Sequence, residues 1–563
     1  MHSQITIALV SASLVAAFAA PVNAQYIARK LQRESHLQSA NGISGNRVVG
    51  TYGAQYGVRH RYDGIFWDAT NGVPAYEMDG ATSFLDVNND WVIENGEGWS
   101  IYSGYSPHSA RNLTTGVSYS LGYGAWSQSS GHSAVTTGMR GDWAWGNQTH
   151  YAMGSYAYYY IYGSKLVNLT TGETRDYSWD NGPFSYYRRE FLDVSDGKVL
   201  ERTYGSYSLL DIETGVRTSI AVPISVVGMS GTQIAGNSTN GASLHDYTTG
   251  QTVTLSKSGM SSTEMKQMGT GESVGNGTNA VTNRQNALRW DNATGAVTNL
   301  QNFLGGNYTS SATINMDKAN ADGSILISAD RAGGTDFVAL RRFAGTVVGV
   351  GQDEIATFED DHTQTDGVIV NEGTIQWTNP PRWWNLQNGL LTGTGNFYGN
   401  INNSGGTLSG GGAGGTGGGG TGGGGFGGNG GAGSGIGAFT STGSYIQDGT
   451  GTLLVSIGGA NAFDTFLFGD TATLGGVLEV SLLGGYVPNY RQEFVFFSAP
   501  NTVGTWESIY SPGHDWQVRY EPNGATLIYN GAGPVTVPES GTAVFSLLGL
   551  LPIGAIYLRR KRA

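Results

Sequence analysis

Asn286-Ala287-Leu288-Arg289-Trp290-Asp291-Asn292-Ala293-Thr294-Gly295 is the stretch that decides the fold. It reads as a strand running into a polar turn that ends on glycine. Glycine takes the left-handed turn conformation at little steric cost, so it is the natural residue where one strand reverses into the next. The turn recurs upstream: Phe66-Trp67-Asp68-Ala69-Thr70-Asn71-Gly72 comes first, and Thr115-Gly116, Thr171-Gly172, Thr214-Gly215 and Thr249-Gly250 follow. These glycines lie 44, 56, 43, 35 and 45 residues apart. A second element, a turn leading into a short β-forming strand, precedes some of the hairpins. Its copies are Asn41-Gly42-Ile43-Ser44-Gly45-Asn46-Arg47-Val48-Val49-Gly50, Met229–Gly236 and Ala321–Ser328.

A unit of about 35–50 residues with three or four strands has the length of a propeller blade. The spacing predicts six or seven blades, seven being favoured, over 41–78, 83–121, 130–177, 189–220, 224–256, 265–300 and 310–343, with Gln25–Arg33 as the closing strand. Radial closure leaves only short edges. The alternative is an irregular β-sandwich or two smaller β domains. Ala287-Leu288-Arg289-Trp290 and Asn46-Arg47-Val48-Val49-Gly50 resemble the HAF repeat of bacterial extracellular proteins, which implies a surface protein and no particular reaction.

Beyond residue 350 the pattern changes. Residues 367–410 read as a short β-solenoid with Asn and Gly at its corners. Residues 411–437 are mostly glycine, cannot bury apolar surface to offset their ordering entropy, and read as a spacer. Residues 443–530 return to β pattern as a membrane-proximal domain, and resemble the region before the sorting signal of solenoid-type surface proteins.

Both ends carry addresses. Residues 1–24 read as a signal peptide: Ile5–Ala20 is apolar or small, and Val22-Asn23-Ala24 precedes a mature start at Gln25. Residues 537–563 hold Val537-Pro538-Glu539-Ser540, an apolar run from Ala543 to Leu558, then Arg559-Arg560-Lys561-Arg562. This order resembles the PEP-CTERM sorting signal of bacterial envelope proteins, with Ser540 where the family has proline. The resemblance implies Pro538, Glu539, Arg559 and Arg560 as the signal residues, an exosortase-type sorting machinery as partner, and a membrane-inserted C-terminal segment. The fold expected is therefore all-β: a β-propeller of six or seven blades over 25–350, a β-solenoid and β-rich stalk, and a C-terminal transmembrane sorting helix.

Composition narrows the function. A net charge of −13 argues against nucleic acid, which needs a concentrated basic surface. Cysteine is absent, so there is no disulfide and no thiolate-ligated metal. No catalytic motif stands out. His60, His108, His132 and His150, with Arg59, Arg61, Tyr105 and Tyr123, fall in or between the first three expected blades. His or Tyr can abstract a proton beside a carboxylate that Arg neutralises, as elimination across acidic polysaccharides requires; the plainer reading is that each is satisfied locally. Asp86-Val87-Asn88-Asn89-Asp90 and Asp317–Gly323 gather oxygen side chains of the kind calcium takes, or of the kind Asx turns use without an ion. Tyr151, Tyr156, Tyr158, Tyr159, Tyr160 and Tyr162 can stack on sugar rings or pack across strands.

The reading is an exported protein of the cell envelope, cell surface or extracellular matrix. It is more a binding or structural protein than an enzyme, with no catalytic residue assigned, no required cofactor, and matrix glycans or surface proteins as partners. The alternative is a secreted polysaccharide lyase or another glycan-active propeller enzyme.

Overall fold

The computed structural model describes residues 26–532 apart from 33–37, 57–58, 69–73, 77–81, 97–107, 122–132, 154–157, 180–188, 305–307, 309–312, 321–322, 332–333, 344–346 and 412–434. Six sheets of four antiparallel strands span 38–76, 82–120, 133–179, 189–220, 225–254 and 260–299. Within each sheet the strands follow chain order, so each is an up-and-down meander. Neighbouring sheets pack through their first strands, and Gln38–Ser44 packs against Thr313–Ala319, which closes the series around an axis. These sheets are blades 1 to 6 of a propeller.

The turns show why the chain reverses where it does. Gly116, Gly172, Gly215, Gly250 and Gly295 all have φ between 70° and 74°. Four residues before each stands Asn112, Asn168, Asp211, Asp246 or Asp291. In each, the side-chain Oδ1 accepts the backbone N–H three residues on, at 2.8–2.9 Å, holding the turn from inside. Gly72 lies outside the described residues.

The expectation of seven separate blades needs correction. Among the described residues only six four-stranded sheets stand alone; Thr313–Ala319, Ile325–Arg331, Gly334–Arg342 and the first strand, β1 (Tyr26–Lys30), instead begin a twelve-stranded sheet. The cause is β1. One of its edges pairs antiparallel with Gly334–Arg342 and the other with Glu354–Phe358. The strand that completes the propeller ring is thus also the first neighbour of the C-terminal region.

That region is a solenoid of three parallel sheets. One sheet stacks strands that start at Val347, Val368, Leu390, Thr407, Thr452, Val477 and Ser508. Ile369, Leu391, Leu408, Leu453 and Leu478 stand in register along it and point into the core. At the corners, buried amides serve the next rung's backbone: Asn371 Nδ2 donates to Asn396 O (3.1 Å), Asn403 Nδ2 to Thr452 O (3.0 Å) and Gln447 Nε2 to Val477 O (2.8 Å). Glu493–Ser498 pairs antiparallel with Gly524–Ala532, which pairs with His514–Glu521, so a hairpin ends the long sheet.

Strands Thr407–Ser409 and Ala438–Ser441 belong to one rung, and each pairs with the rungs before and after it. The glycine tract therefore leaves and re-enters the solenoid at one corner. A side chain on Gly437 would run into the Gly410 carbonyl oxygen, which is why the corner is glycine on both sides.

The expected C-terminal transmembrane helix is a second correction, and with it go the membrane and exosortase partners that rested on it. No helix among the described residues is long and apolar enough to cross a membrane. The helix that is described is the 3₁₀ turn Leu300–Phe303. Pro538, Glu539, Arg559 and Arg560 lie outside the described residues.

Candidate functional site

The first strand of a blade is the one nearest the axis. In blades 1, 2, 4, 5 and 6, and in Thr313–Ala319, that strand carries a β-bulge at the same place. A bulge inserts one unpaired residue and re-aims the side chains beside it. The residues just past the bulges are Gly42, Asp86, Asp193, Gly228, Gln267 and Lys318. Blade 3 has an unbulged strand, Ser133–Arg140, and contributes Arg140 instead.

Asp86, Asp193, Gln267 and Lys318, with Arg140, meet around a cavity of about 310 Å³ on the axis. Thr137, Asp86, Arg140, Asp193, Lys266 and Lys318 are among its lining. Lys318 Nζ lies 2.8 Å from Asp86 Oδ2, and Arg140 Nη1 lies 2.6 Å from Asp193 Oδ2. The same Arg140 nitrogen donates to Met229 O, while Asp193 accepts Met229 N–H at Oδ2 and Val194 N–H at Oδ1, each at 2.8 Å. One carboxylate thus ties three neighbouring blades together. Gln267 makes a matching link, accepting Ala319 N–H at 2.9 Å and donating to Ala319 O at 2.5 Å. The small residues make room for this. A side chain on Gly228 would stand 2.7 Å from Asp193 Oδ2, and one on Gly42 would stand 2.9 Å from the Asp86 backbone.

Burial pushes the Asp193 carboxyl above its ordinary range, against the pull of Arg140 and the two N–H donors. The cavity offers charges of both signs, each cation already beside an acid, and polar rims between them. Such a lining suits a small, hydroxyl-rich or zwitterionic ligand better than a strongly charged one.

The residues singled out from sequence are placed elsewhere. His108 lies on blade 2, where its Nδ1 is buried without a hydrogen-bond partner and burial pushes the imidazole down. The side chains of His60, His132, His150, Arg59, Arg61, Tyr105 and Tyr123 lie outside the described residues. So do those of Tyr151, Tyr156, Tyr158, Tyr159, Tyr160 and Tyr162, although the backbone register sets Tyr151 opposite Tyr160. In the first oxygen-rich loop the groups face different partners: Asp86 meets Lys318, Asn88 Nδ2 donates to Gly141 O, and Asp90 meets Arg47. No group of three or more His, Cys, Asp or Glu that could hold a metal occurs among the described residues. The Asp317 side chain and residues 321–322 lie outside them.

Arg140, Asp193, Gln267 and Lys318 were not found from sequence. A signal was present: Asp86-Val87 and Asp193-Val194 both precede a blade's first turn, at Asn89 and at Asp196-Gly197.

No family model matches the chain, and no curated protein matches it. Solved structures do. Porphyromonas gingivalis dipeptidyl peptidase 4 is similar at 10% identity and a TM-score of 0.29, over 51% of this chain and 50% of that one. Pyrococcus horikoshii acylaminoacyl peptidase is similar at 8% identity and a TM-score of 0.37, over 55% and 52%. The β-propeller domain of the Trilobed protease from Pyrococcus furiosus is similar at 8% identity and a TM-score of 0.36, over 56% and 97%. The chain thus spans about half the length of the two peptidases it matches. At such identities and scores no argument about activity rests on these likenesses.

Proposed function

We propose that this is an exported surface protein whose propeller binds a small polar ligand of the sugar class in its axial cavity, with the solenoid as a rigid mount. The observation that carries the reading is the cavity itself, where first strands of different blades converge with Asp86, Arg140, Asp193, Gln267 and Lys318. Support for the rigid mount comes from β1, which is hydrogen-bonded to the ring on one edge and to the solenoid on the other. A glycan array followed by calorimetry on the whole chain tests the reading. Binding should fall at least about tenfold, ~1.4 kcal/mol, in Lys318→Ala, which leaves Asp86 without its cation. Binding that ignores Lys318→Ala, or no glycan bound at all, would overturn it.

A second reading, a glycan-active enzyme, is favoured by one observation. The raised, buried Asp193 carboxyl faces Arg140 in the same cavity, and a shifted acid beside a fixed cation is a pairing used for proton transfer and charge stabilisation. Unsaturated product released from uronate polysaccharides, and abolished in Asp193→Asn, would select this reading over binding alone.

A further inference from the structure

β1 is held on every side. Tyr26, Ile27, Ala28 and Arg29 are all buried. Alternate side chains serve different cores: Tyr26 and Ala28 join the cluster of blade 6 and the last propeller strands, while Ile27 joins the core of the solenoid. Leu31, just beyond the strand, joins blade 1, and its N–H donates to Phe337 O at 2.8 Å. Trp67 Nε1 donates to Gln32 O at 2.9 Å. The charges match as well. Arg29 faces Asp353 at 3.6 Å and Lys30 faces Asp336 at 3.0 Å, so each basic residue of the strand has an acid beside it. Arg341 and Glu354, on the two flanking strands, pair with each other on the face that Ile27 and Arg29 share.

Everything that recognises β1 therefore belongs to the slot: two backbone ladders, three apolar pockets and two acids. None of it depends on the link from β1 to blade 1. We propose that the space between Gly334–Arg342 and Glu354–Phe358 is a strand-binding site that takes β1 in trans. A second copy of this chain can then supply its first strand and join two molecules at the junction of propeller and solenoid. Exchange of an identical element is a low-cost route to dimers, because the contacts formed are those already present within one chain.

The chain has no cysteine, which makes a clean test available. Ala28 stands opposite Leu340 in the register, and both lie in one cluster. A chain with Ala28→Cys and a chain with Leu340→Cys are mixed, unfolded, refolded together and oxidised. A disulfide-linked dimer is expected, its yield relative to monomer rising about tenfold for each tenfold rise in chain concentration, as mass action requires while trans insertion remains the minor route. A chain carrying both substitutions should link within itself at low concentration. Monomer alone in the mixture, beside an internally linked double variant, would overturn the proposal. So would a dimer that forms equally well from either single variant by itself. A double variant that does not link would overturn the register on which the site rests.

Discussion

From Phe343 to Tyr529 nearly all the buried apolar side chains join in one continuous cluster, whereas those of the propeller fall into seven separate clusters among the described residues. The difference follows from how each region deals with its strand edges. A solenoid rung is lined by the rung above it, so each inward side chain touches its counterpart and the core has no internal boundary. Blades splay around an axis, so apolar wedges form only between neighbours. The axis itself is left to ion pairs and amides. A lesion in the solenoid should therefore spread along the stack, and one in the propeller should stay between two blades.

The harshest way to break that contrast is to strike the strand common to both regions. Ile27→Asp puts a carboxylate into the solenoid core from a strand that also completes the ring. It should cost ~5 kcal/mol, with both regions losing protease resistance in a single urea transition. Two separate transitions would show that the regions are less coupled than the shared strand implies.

A matched pair of truncations sharpens the contrast. Trp384 is fully buried in the solenoid, its ring 5.4 Å from Phe358 and 5.8 Å from Phe397. Trp290 is fully buried in blade 6, its Nε1 donating to Ser256 O at 2.8 Å. Each Trp→Ala should cost ~4 kcal/mol. Hydrogen exchange should differ: protection falls along several rungs in Trp384→Ala, but only in blades 5 and 6 in Trp290→Ala.

At the axis, Arg140→Ala leaves the buried Asp193 carboxylate with its N–H donors and no cation, a loss of ~3 kcal/mol by denaturant titration. Arg140→Ala combined with Asp193→Asn should recover part of it, because the uncompensated charge is then gone.

Acid separates two buried groups of the solenoid. Burial pushes Asp464 up to about 6 although it accepts Gly437 N–H at 2.8 Å and Ser456 N–H at 2.9 Å. Burial pushes His362 down to about 4. As pH falls from about 6 towards 4, Asp464 takes its proton first in the folded chain and adds stability, while His362 takes its proton first in the unfolded chain and removes it. The two oppose each other, so the unaltered solenoid should change little. Asp464→Asn removes its share of that opposition and should lose about 2 kcal/mol more than the unaltered chain across that window. An Asp464→Asn variant with the pH dependence of the unaltered chain would refute the opposition.

The smallest expected effect is local. Asn168→Ala removes the acceptor for the Thr170 and Thr171 N–H groups and should cost ~1 kcal/mol, confined to blade 3.

What the sequence made legible was local in the chain. The reversals at Gly116, Gly172, Gly215, Gly250 and Gly295 need only a glycine and its polar neighbours, and the strands they join followed. The Asn or Asp four residues earlier is equally local and marks the same turns more sharply. The closing role of Gln25–Arg33 was legible, and β1 pairs with Gly334–Arg342 accordingly; its second pairing, with Glu354–Phe358, was not, because a five-residue strand does not announce two neighbours. Nor was the axial cavity. Asp193 and Lys318 converge only after a bulge has turned each inward, and the Asp-Val pairs before the first turns of blades 2 and 4 do not show which way their side chains turn. The glycine tract hid the unity of the solenoid, since it divides in sequence two strands that share a rung in space.

That tract has a practical consequence. With its two ends meeting at one corner, the rungs keep their register whatever lies between them, and lengthening a flexible connection there costs only ~0.6 kcal/mol per doubling. The corner is therefore a grafting port: a tag, an epitope or a whole foreign module can be spliced there, and the host should carry the cargo without refitting a single sheet.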